Sequence, residues 1–418
     1  MRTLHPPKRS VAAGLFGLMA AALAVSALWQ YDAHLPQPAA VTGYARSVAA
    51  DANHGLVGSS GRADLFHQPP PNTPLPPHLW LHVRQFAPQP GAVGLFGSAV
   101  AIDGDRLAIG APMGDPQLIN NGYVDIYERI GSDWTFVQKV VPGAFDIPSP
   151  LYPELMFGDK LLLRGDTLIV GARHFQDTAG RVFVFERNGG VFVQTQQLKP
   201  AIDVQESSFG GALALSGDTL AIGRGGAGGA GGGPMQQPHV AGEVHVYVRS
   251  NGQFVLQQVL IAPDSALSDH FGAGLDLHGD RLVVRGKAKT YLFTRHAGAW
   301  SAVWQHATPA TGPTDSGVLL RPGAPRGVEA DLFIGDPNAA LGRLTGAGRV
   351  LRFTSSTSGS GYVANGALQD PQPTAGARFG TSLSASGNLL LVTAPSTANE
   401  PNARVRVFER HTPRWLLP

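Results

Sequence analysis

The chain has 418 residues with 53 Gly, 33 Pro, no Cys and only 15% charged residues. The absence of Cys excludes disulfides and cysteine-ligated zinc or iron–sulfur sites, and the abundance of Gly and Pro favours short strands and turns over helices. The formal net charge of +2 includes three basic residues near the N-terminus, and the remaining charge balance does not indicate a nucleic-acid binder.

The first 27 residues have the pattern of a secretory signal peptide. A basic start with Arg2, Lys8 and Arg9 precedes an apolar run, and small residues around Ala27 form a cleavage site. The alternative is an uncleaved anchor over residues 11–29, because the apolar run is about as long as a membrane span requires. The sequence therefore predicts a protein that is secreted, periplasmic or displayed at the cell surface.

Residues 28–73 have the composition of a linker. They show no strand-like alternation and include Pro69-Pro70-Pro71, which favours a partly stiff, partly flexible connection. An isolated strand, His78–Phe86, follows and ends next to a proline.

Five Phe-Gly pairs recur along the rest of the chain, most of them at intervals of roughly 50–60 residues. The pairs are Phe96-Gly97, Phe157-Gly158, Phe209-Gly210, Phe271-Gly272 and Phe379-Gly380. Each is followed by a strand, a two-residue turn of Gly with Asp or Asn, and a second strand, and third and fourth strands follow in most copies. One small antiparallel sheet per repeat is therefore predicted. The Phe side chains, and the aromatic residues that recur in the fourth strands, are expected in the core.

The gap between Phe271 and Phe379 is twice the usual interval, so it should contain a degenerate copy. Asp331–Pro337 and Gly348–Phe353 match the second and third strands of the other repeats, which brings the count to six. The last repeat has only three strands, and His78–Phe86 can supply the fourth.

This arrangement predicts an all-β, six-bladed propeller over residues 74–411, with four-stranded antiparallel blades and a C-terminal tail of residues 412–418. The N-terminal strand would close the last blade and protect its edge. A seven-bladed ring is the alternative and requires a hidden blade within the Pro-rich segment.

The same motifs resemble a known family. Phe96–Pro112 and Phe379–Pro395 each open with Phe-Gly and exit through an Ala-Pro, the first of them as Gly-Ala-Pro, and in this they are similar to FG-GAP repeats, the units of integrin α-subunit propellers. The resemblance implies a β-propeller in an extracytoplasmic setting, and a role in adhesion or partner binding.

Calcium binding is not expected, although many integrin-type FG-GAP repeats carry a DxDxDG calcium loop. The corresponding segment here is only Ile102–Arg106, and such two-residue turns cannot supply the six to eight oxygens that calcium requires. No cofactor is therefore predicted.

Two further motifs are given structural interpretations. Arg164-Gly165-Asp166 spells the tripeptide that integrin partners display, but it occupies the same turn as the Gly-Asp pairs of other repeats. Gly223–Gly233 is not followed by a helix and lacks the Lys-Ser/Thr of a phosphate-binding loop, so it is interpreted as a flexible insertion.

The long loops should all emerge on one face of the propeller, and function is expected there. They carry the acids and histidines that could build a hydrolase or lyase site in an axial funnel, namely Asp146, Glu154, Asp203, Glu206, Asp264, Asp269, Asp315, His174, His239, His270 and His306. No HExxH motif or nucleophile elbow accompanies them, so a noncatalytic module is favoured.

The favoured function is an exported binding or adhesion module that presents its loops to a protein or glycan. Arg285, Lys287 and Lys289 replace the long loop of one repeat with a short basic turn and are the candidate partner-binding residues. A structural cell-envelope component, retained through residues 11–29, is the remaining alternative.

Overall fold

The computed structural model describes residues 29–35, 44–70, 73–75, 79–90, 94–114, 121–143, 155–173, 180–200, 208–225, 241–264, 269–308, 317–321, 330–355, 361–395 and 403–410. Within these ranges all 28 regular elements are strands. No helix in them could cross a membrane. The predicted signal peptide, anchor and C-terminal tail lie outside the described residues, apart from Trp29.

The strands form seven antiparallel sheets of four, each the blade of a propeller. Strand β1 (Trp29–Leu35) belongs to the last blade. Blade 1 contains β2 (Ser47–Asp51), β3 (His54–Ser59), β4 (Arg62–His67) and β5 (Leu81–Phe86). Blade 2 contains β6 (Ala99–Asp103), β7 (Arg106–Ala111), β8 (Tyr123–Ile130) and β9 (Asp133–Val140). Blade 3 contains β10 (Lys160–Arg164), β11 (Thr167–Ala172), β12 (Arg181–Asn188) and β13 (Val191–Leu198).

The remaining four blades have the same internal order. Blade 4 contains β14 (Phe209–Ser216), β15 (Thr219–Arg224), β16 (Glu243–Ser250) and β17 (Gln253–Leu260). Blade 5 contains β18 (Gly274–His278), β19 (Arg281–Arg285), β20 (Lys289–His296) and β21 (Ala299–Ala307). Blade 6 contains β22 (Val318–Arg321), β23 (Asp331–Asp336), β24 (Arg349–Ser355) and β25 (Tyr362–Leu368). Blade 7 contains β26 (Leu383–Ser386), β27 (Leu389–Ala394) and β28 (Arg404–Arg410), and β1 is its outer strand.

The inner strands contact one another in cyclic order, and β26 of blade 7 contacts β2 of blade 1. This closed cycle confirms the predicted all-β propeller. The number of blades is seven, which was the alternative, and the prediction of six was wrong.

The extra blade lies in the segment predicted as a linker. Tyr44-Ala45 occupies the position of Phe-Gly, Ala52-Asn53 makes the first hairpin, and Gly58-Ser59 takes the place of Gly-Ala. Residues 28–73 are therefore not a linker, because they contain β1 and three strands of blade 1.

The closing strand also differs from the prediction. Residues Leu81–Phe86 of the predicted strand pair with β4 inside blade 1, whereas β1 pairs with β28 from Trp29↔Arg410 to Leu35↔Val405. The ring is thus closed by a strand N-terminal to all seven blades. The physical reason is that blade 1 requires an outer strand of its own, and Leu81–Phe86 is the nearest one in the chain.

The core consists of apolar layers between neighbouring blades. The Phe side chains of all five Phe-Gly pairs are fully buried. The aromatic residues that recur in the fourth strands, Trp134, Phe192, Phe254 and Trp300, are also buried and each packs in such a layer. Burial of one large aromatic side chain contributes about 1.5–3 kcal/mol, so these positions account for much of the contact between blades.

A contact between glycines of neighbouring blades explains why Phe-Gly at the start of a blade recurs together with a glycine near the end of the second strand, which we call the exit glycine. A Cβ atom on the exit glycine of one blade would lie 2.0–2.4 Å from the carbonyl oxygen of the Phe-Gly glycine of the next blade. The five pairs are Gly58 with Gly97, Gly110 with Gly158, Gly171 with Gly210, Gly223 with Gly272, and Gly335 with Gly380. We call these contacts the glycine seams.

The two blade boundaries without a seam support this explanation. The exit position is Arg285 in blade 5 and Thr393 in blade 7, as their strand registers show. The blades that follow are the two whose openings have lost Phe-Gly, blade 6 and blade 1. Exit glycine and Phe-Gly are therefore kept or lost in pairs, because each glycine makes room for the backbone of the other.

Glutamine side chains join the outer strands of successive blades. The Gln138 amide accepts a hydrogen bond from Phe192 N at 2.7 Å and donates one to Phe192 O at 2.8 Å. Gln196 makes the same pair of hydrogen bonds with Phe254, and Gln258 makes it with Trp300. These contacts fix the position of each outer strand relative to its neighbour.

Candidate functional site

The two faces of the ring differ in their connections. The connections from first to second strands, which are two-residue turns in six of the seven blades, and those from third to fourth strands lie on one face, which we call the hairpin face. The connections from second to third strands, and from each blade to the next, lie on the opposite face, the loop face. Most of the residues outside the described ranges belong to loop-face connections, as the strand order and the ranges show.

A pocket of about 240 Å³ lies on the axis at the loop-face ends of the inner strands. Every blade contributes to its lining: Arg46, Ser47, Ser98, Ala99, Val100, Asp159, Lys160, Leu161, Gly211, Ala212, Leu213, Ala273, Gly274, Leu275, Gly317, Val318, Thr381, Ser382 and Leu383. Most of these side chains are small and uncharged, so charge enters the lining at only three positions.

The three charged residues of the axial pocket are Arg46, Asp159 and Lys160. The carboxylate of Asp159 forms an ion pair with Arg173, with Nε at 3.2 Å. Arg46 is exposed at the mouth and Lys160 is half-buried, and neither side chain has a hydrogen-bond or ion-pair partner among the described residues. The lining therefore carries two uncompensated positive charges.

Among the described residues, the pocket does not bring together the groups that axial hydrolysis would require. The lining that they form contains one carboxylate and no histidine, whereas acid–base hydrolysis of glycosides uses two carboxylates. Asp146, Glu154, Asp203, Glu206, Asp315, His174 and His239 lie outside the described residues. The described part of the chain also contains no group of three or more His, Asp or Glu side chains that could hold a metal ion.

The four remaining sequence candidates have separate structural environments in blade 5 and just before it. The Asp269 carboxylate accepts hydrogen bonds from the backbone N–H groups of Phe271 and Gly242. Burial, and then the charge of Lys287, lower the pKa of neighbouring His270. Asp264 accepts a hydrogen bond from the Tyr291 hydroxyl at 2.7 Å.

His306 belongs to the outer strand β21. Its ring stacks on Trp304, with centroids 5.9 Å apart and an interplanar angle of 10°. Burial lowers the pKa of His306. Because β21 is the outer strand of blade 5, His306 lies at the outside of the ring, opposite Thr290 of β20.

The three candidate partner-binding residues occupy different environments. Arg285 is buried at the boundary between blades 5 and 6, where its guanidinium donates a hydrogen bond to Gly335 O at 2.5 Å. Lys289 forms an ion pair with Asp264, whereas Lys287 is exposed on the loop face. The prediction that this turn contacts a partner therefore depends on Lys287.

The hairpin face is crossed by ion pairs. Arg187 contacts Glu128 at 2.7 Å, and Arg249 contacts Glu186 at the same distance, so each pair joins neighbouring blades. The predicted turn Arg164-Gly165-Asp166 takes part in this network. Arg164 Nη1 lies 3.7 Å from Asp103 Oδ1, and Asp166 forms an ion pair with Arg106.

Two carboxyl groups, the buried Asp125 and the half-buried Asp276, were not recognised in the sequence. Burial raises the pKa of Asp125 to about 6, against the opposing effect of Lys139, whose Nζ lies 3.3 Å away. Burial also raises the pKa of Asp276 to about 7, although its oxygens accept hydrogen bonds from the N–H groups of Leu320 and Leu277. Isolated Asp residues in alternating strands gave no signal for either.

We expect Asp276 to make the protein less stable as the pH rises from about 4 to about 7. Its pKa is raised in the folded state, so folding binds a proton in this range and the ionised carboxylate is penalised above it. The variant Asp276→Asn should flatten this slope, whatever its effect at a single pH. Urea unfolding midpoints at pH 5, 6, 7 and 8 would measure it, and an unchanged slope would contradict the assignment.

The charged residues of the pocket were also missed, although a signal was present for two of them. Arg46 and Asp159 occupy the position directly after Phe-Gly or its equivalent, where other blades have Ser98, Gly211, Ala273 and Thr381. An alignment of the repeats by this position would have identified them, had blade 1 been recognised.

No known family model matches this chain, and no curated protein is significantly similar to it. Function must therefore be argued from the two faces, the axial pocket and the charges that they carry.

Proposed function

We propose that this protein is an exported, noncatalytic binding module whose loop face receives an anionic protein or glycan. A single observation carries the proposal. Six cations have no side-chain hydrogen-bond or ion-pair partner among the described residues, and all six lie on the loop face: Arg46, Lys160, Lys199, Lys287, Arg343 and Arg378.

The hairpin face provides the contrast. Its arginines are matched with acids or other acceptors, for example Arg129 with Asp105 and Arg295 with Asp280. Exposed ion pairs contribute little to stability, with a median of about 0–1 kcal/mol, but they do neutralise a surface. The described part of the loop face keeps these six unmatched positive charges, which favour association with a negatively charged partner.

The position of β1 agrees with export and with this choice of face. Trp29 pairs with Arg410 at the hairpin-face end of the strand, so the apolar N-terminal segment joins the ring on that side. A leader retained as an anchor would place the hairpin face towards the membrane. The loop face would then point away from it, which is the orientation that partner binding requires.

The similarity of the Phe-Gly and Gly-Ala-Pro motifs to FG-GAP repeats supports the same proposal. Integrin-like propellers act through partner binding, and a rigid ring that positions variable loops is suited to that role. We include membership of this family in the proposal, since it depends on the motifs alone.

The test is a charge reversal on the loop face. The doubly substituted variant Lys287→Glu/Arg343→Glu should recover at least tenfold less crosslinked partner from the native cell envelope than the wild-type chain, because two exposed cations become acids. The matched control is Arg164→Glu, an exposed arginine of the hairpin face. Equal recovery by the double variant and the wild type, or an equal loss in the control, would contradict binding through the loop face.

A further inference from the structure

We propose that the axial pocket binds a small oxyanion, a carboxylate or phosphate group, between Arg46 and Lys160. This site opens at the centre of the loop face and uses two of its six unpartnered cations, but the proposal does not depend on a macromolecular partner.

The placement of the two cations is the first step. Both belong to the two ring positions that directly follow Phe-Gly or its equivalent, and these positions supply most of the pocket lining. The other lining residues at these positions are small or neutral, apart from Asp159. Two long basic side chains among small ones therefore leave space that they can reach into from blades 1 and 3.

The electrostatic balance of the pocket is the second step. Asp159 is nine-tenths buried and paired with Arg173, so its charge is already matched. The side chains of Arg46 and Lys160 have no hydrogen-bond or ion-pair partner among the described residues, whereas most arginine side chains of the described residues have one. An anion would supply the missing negative charge, and charge-assisted hydrogen bonds to it are the strong kind.

The size and chemistry of the lining define the class of ligand. A volume of about 240 Å³ admits a few polar heavy atoms together with water, because one water occupies about 30 Å³ of liquid. Arginine binds both carboxylate and phosphate through two parallel donors, so these are the two ligand groups that we propose.

The test uses purified full-length protein and two probes, inorganic phosphate and succinate, titrated calorimetrically at constant ionic strength with sodium chloride as the background. The wild-type chain should bind at least one probe saturably. Lys160→Met and Arg46→Met should each weaken that binding by tenfold or more. Lys199→Met, which removes an exposed and equally unpartnered cation away from the axis, should leave it unchanged.

The outcomes separate the alternatives. Binding of phosphate alone would identify a phosphate site, and binding of succinate alone a carboxylate site. Saturable binding that survives both axial substitutions, or that falls equally in Lys199→Met, would overturn the proposal, as would the absence of saturable binding of either probe. Urea unfolding of each variant checks that the ring is intact. The titrations use small probes only, so their result is independent of the charge-reversal test at Lys287 and Arg343.

Discussion

Replacing Gly110 by alanine should destabilise the protein by about 3 kcal/mol, at the upper end of the usual cost of overpacking. Its added Cβ would lie 2.1 Å from Gly158 O, and the next nearest atoms are also backbone. No flexible side chain can move aside, so two blades must separate at this seam. The measurement is the free energy of unfolding from urea denaturation.

Gly131→Ala is the matched control for this change. Gly131 has a φ of 65° and open space around its Cβ position, so alanine there carries only the cost of the left-handed conformation, roughly 1–2 kcal/mol. A loss in Gly110→Ala no larger than in Gly131→Ala would contradict the role of the glycine seams. Arg285 and Thr393 already show that a side chain is accepted at an exit position where the next blade has lost Phe-Gly.

Deleting residues 1–35 should abolish cooperative folding, whereas deleting residues 1–27 should leave it intact. The first deletion removes β1 and leaves the edge of β28 unpaired. It also removes Leu35 from an apolar cluster that contains Val405 and Val407. Since the free energy of unfolding of a domain is only about 5–15 kcal/mol, the loss of a whole closing strand should remove most of it.

Circular dichroism during urea unfolding and size-exclusion chromatography would compare the two deletions. The shorter chain should aggregate through its open edge. A peptide of residues 28–36 added in trans should restore part of the folded signal by pairing with β28. If both deletions unfold at the same urea concentration, the ring is not closed by β1.

The propeller could be predicted because five repeats use nearly the same residues for the same structural purpose. Phe-Gly and the exit glycine serve a contact that five of the seven blade boundaries share, and the Gly-Asp turn serves the first hairpin of a blade, so their recurrence indicates the architecture directly. Blade 6 could be found without Phe-Gly, because the interval left room for it.

Blade 1 could not be recognised in the same way. Tyr44-Ala45 keeps the aromatic residue and the left-handed backbone, with a φ of 62° at Ala45, but replaces the glycine. Its third and fourth strands are joined by a Pro-rich connection instead of a tight turn, so Leu81–Phe86 looks isolated in the sequence. Because this blade was not recognised, Leu81–Phe86 was predicted to close the ring in place of β1.

The candidate site was less predictable than the fold. Which side chains reach the axis depends on how many blades surround it, and the number predicted from the repeats was six. The burial of Arg285 illustrates a second limit. Its position in a basic turn indicated exposure, whereas the boundary without a glycine seam turns its guanidinium inwards to Gly335.

The pairing of β1 with β28 also determines when the ring can close during folding. The first strand of the ring pairs with the last one, so this contact has nearly the largest sequence separation that the chain allows. Contacts of that kind form slowly, because a long loop must be closed before they contribute any stability. A chain made from its N-terminus therefore carries β1 unpaired until β28 has emerged. If the chain is exported as proposed, this delay is an advantage, since the ring cannot close before translocation is finished.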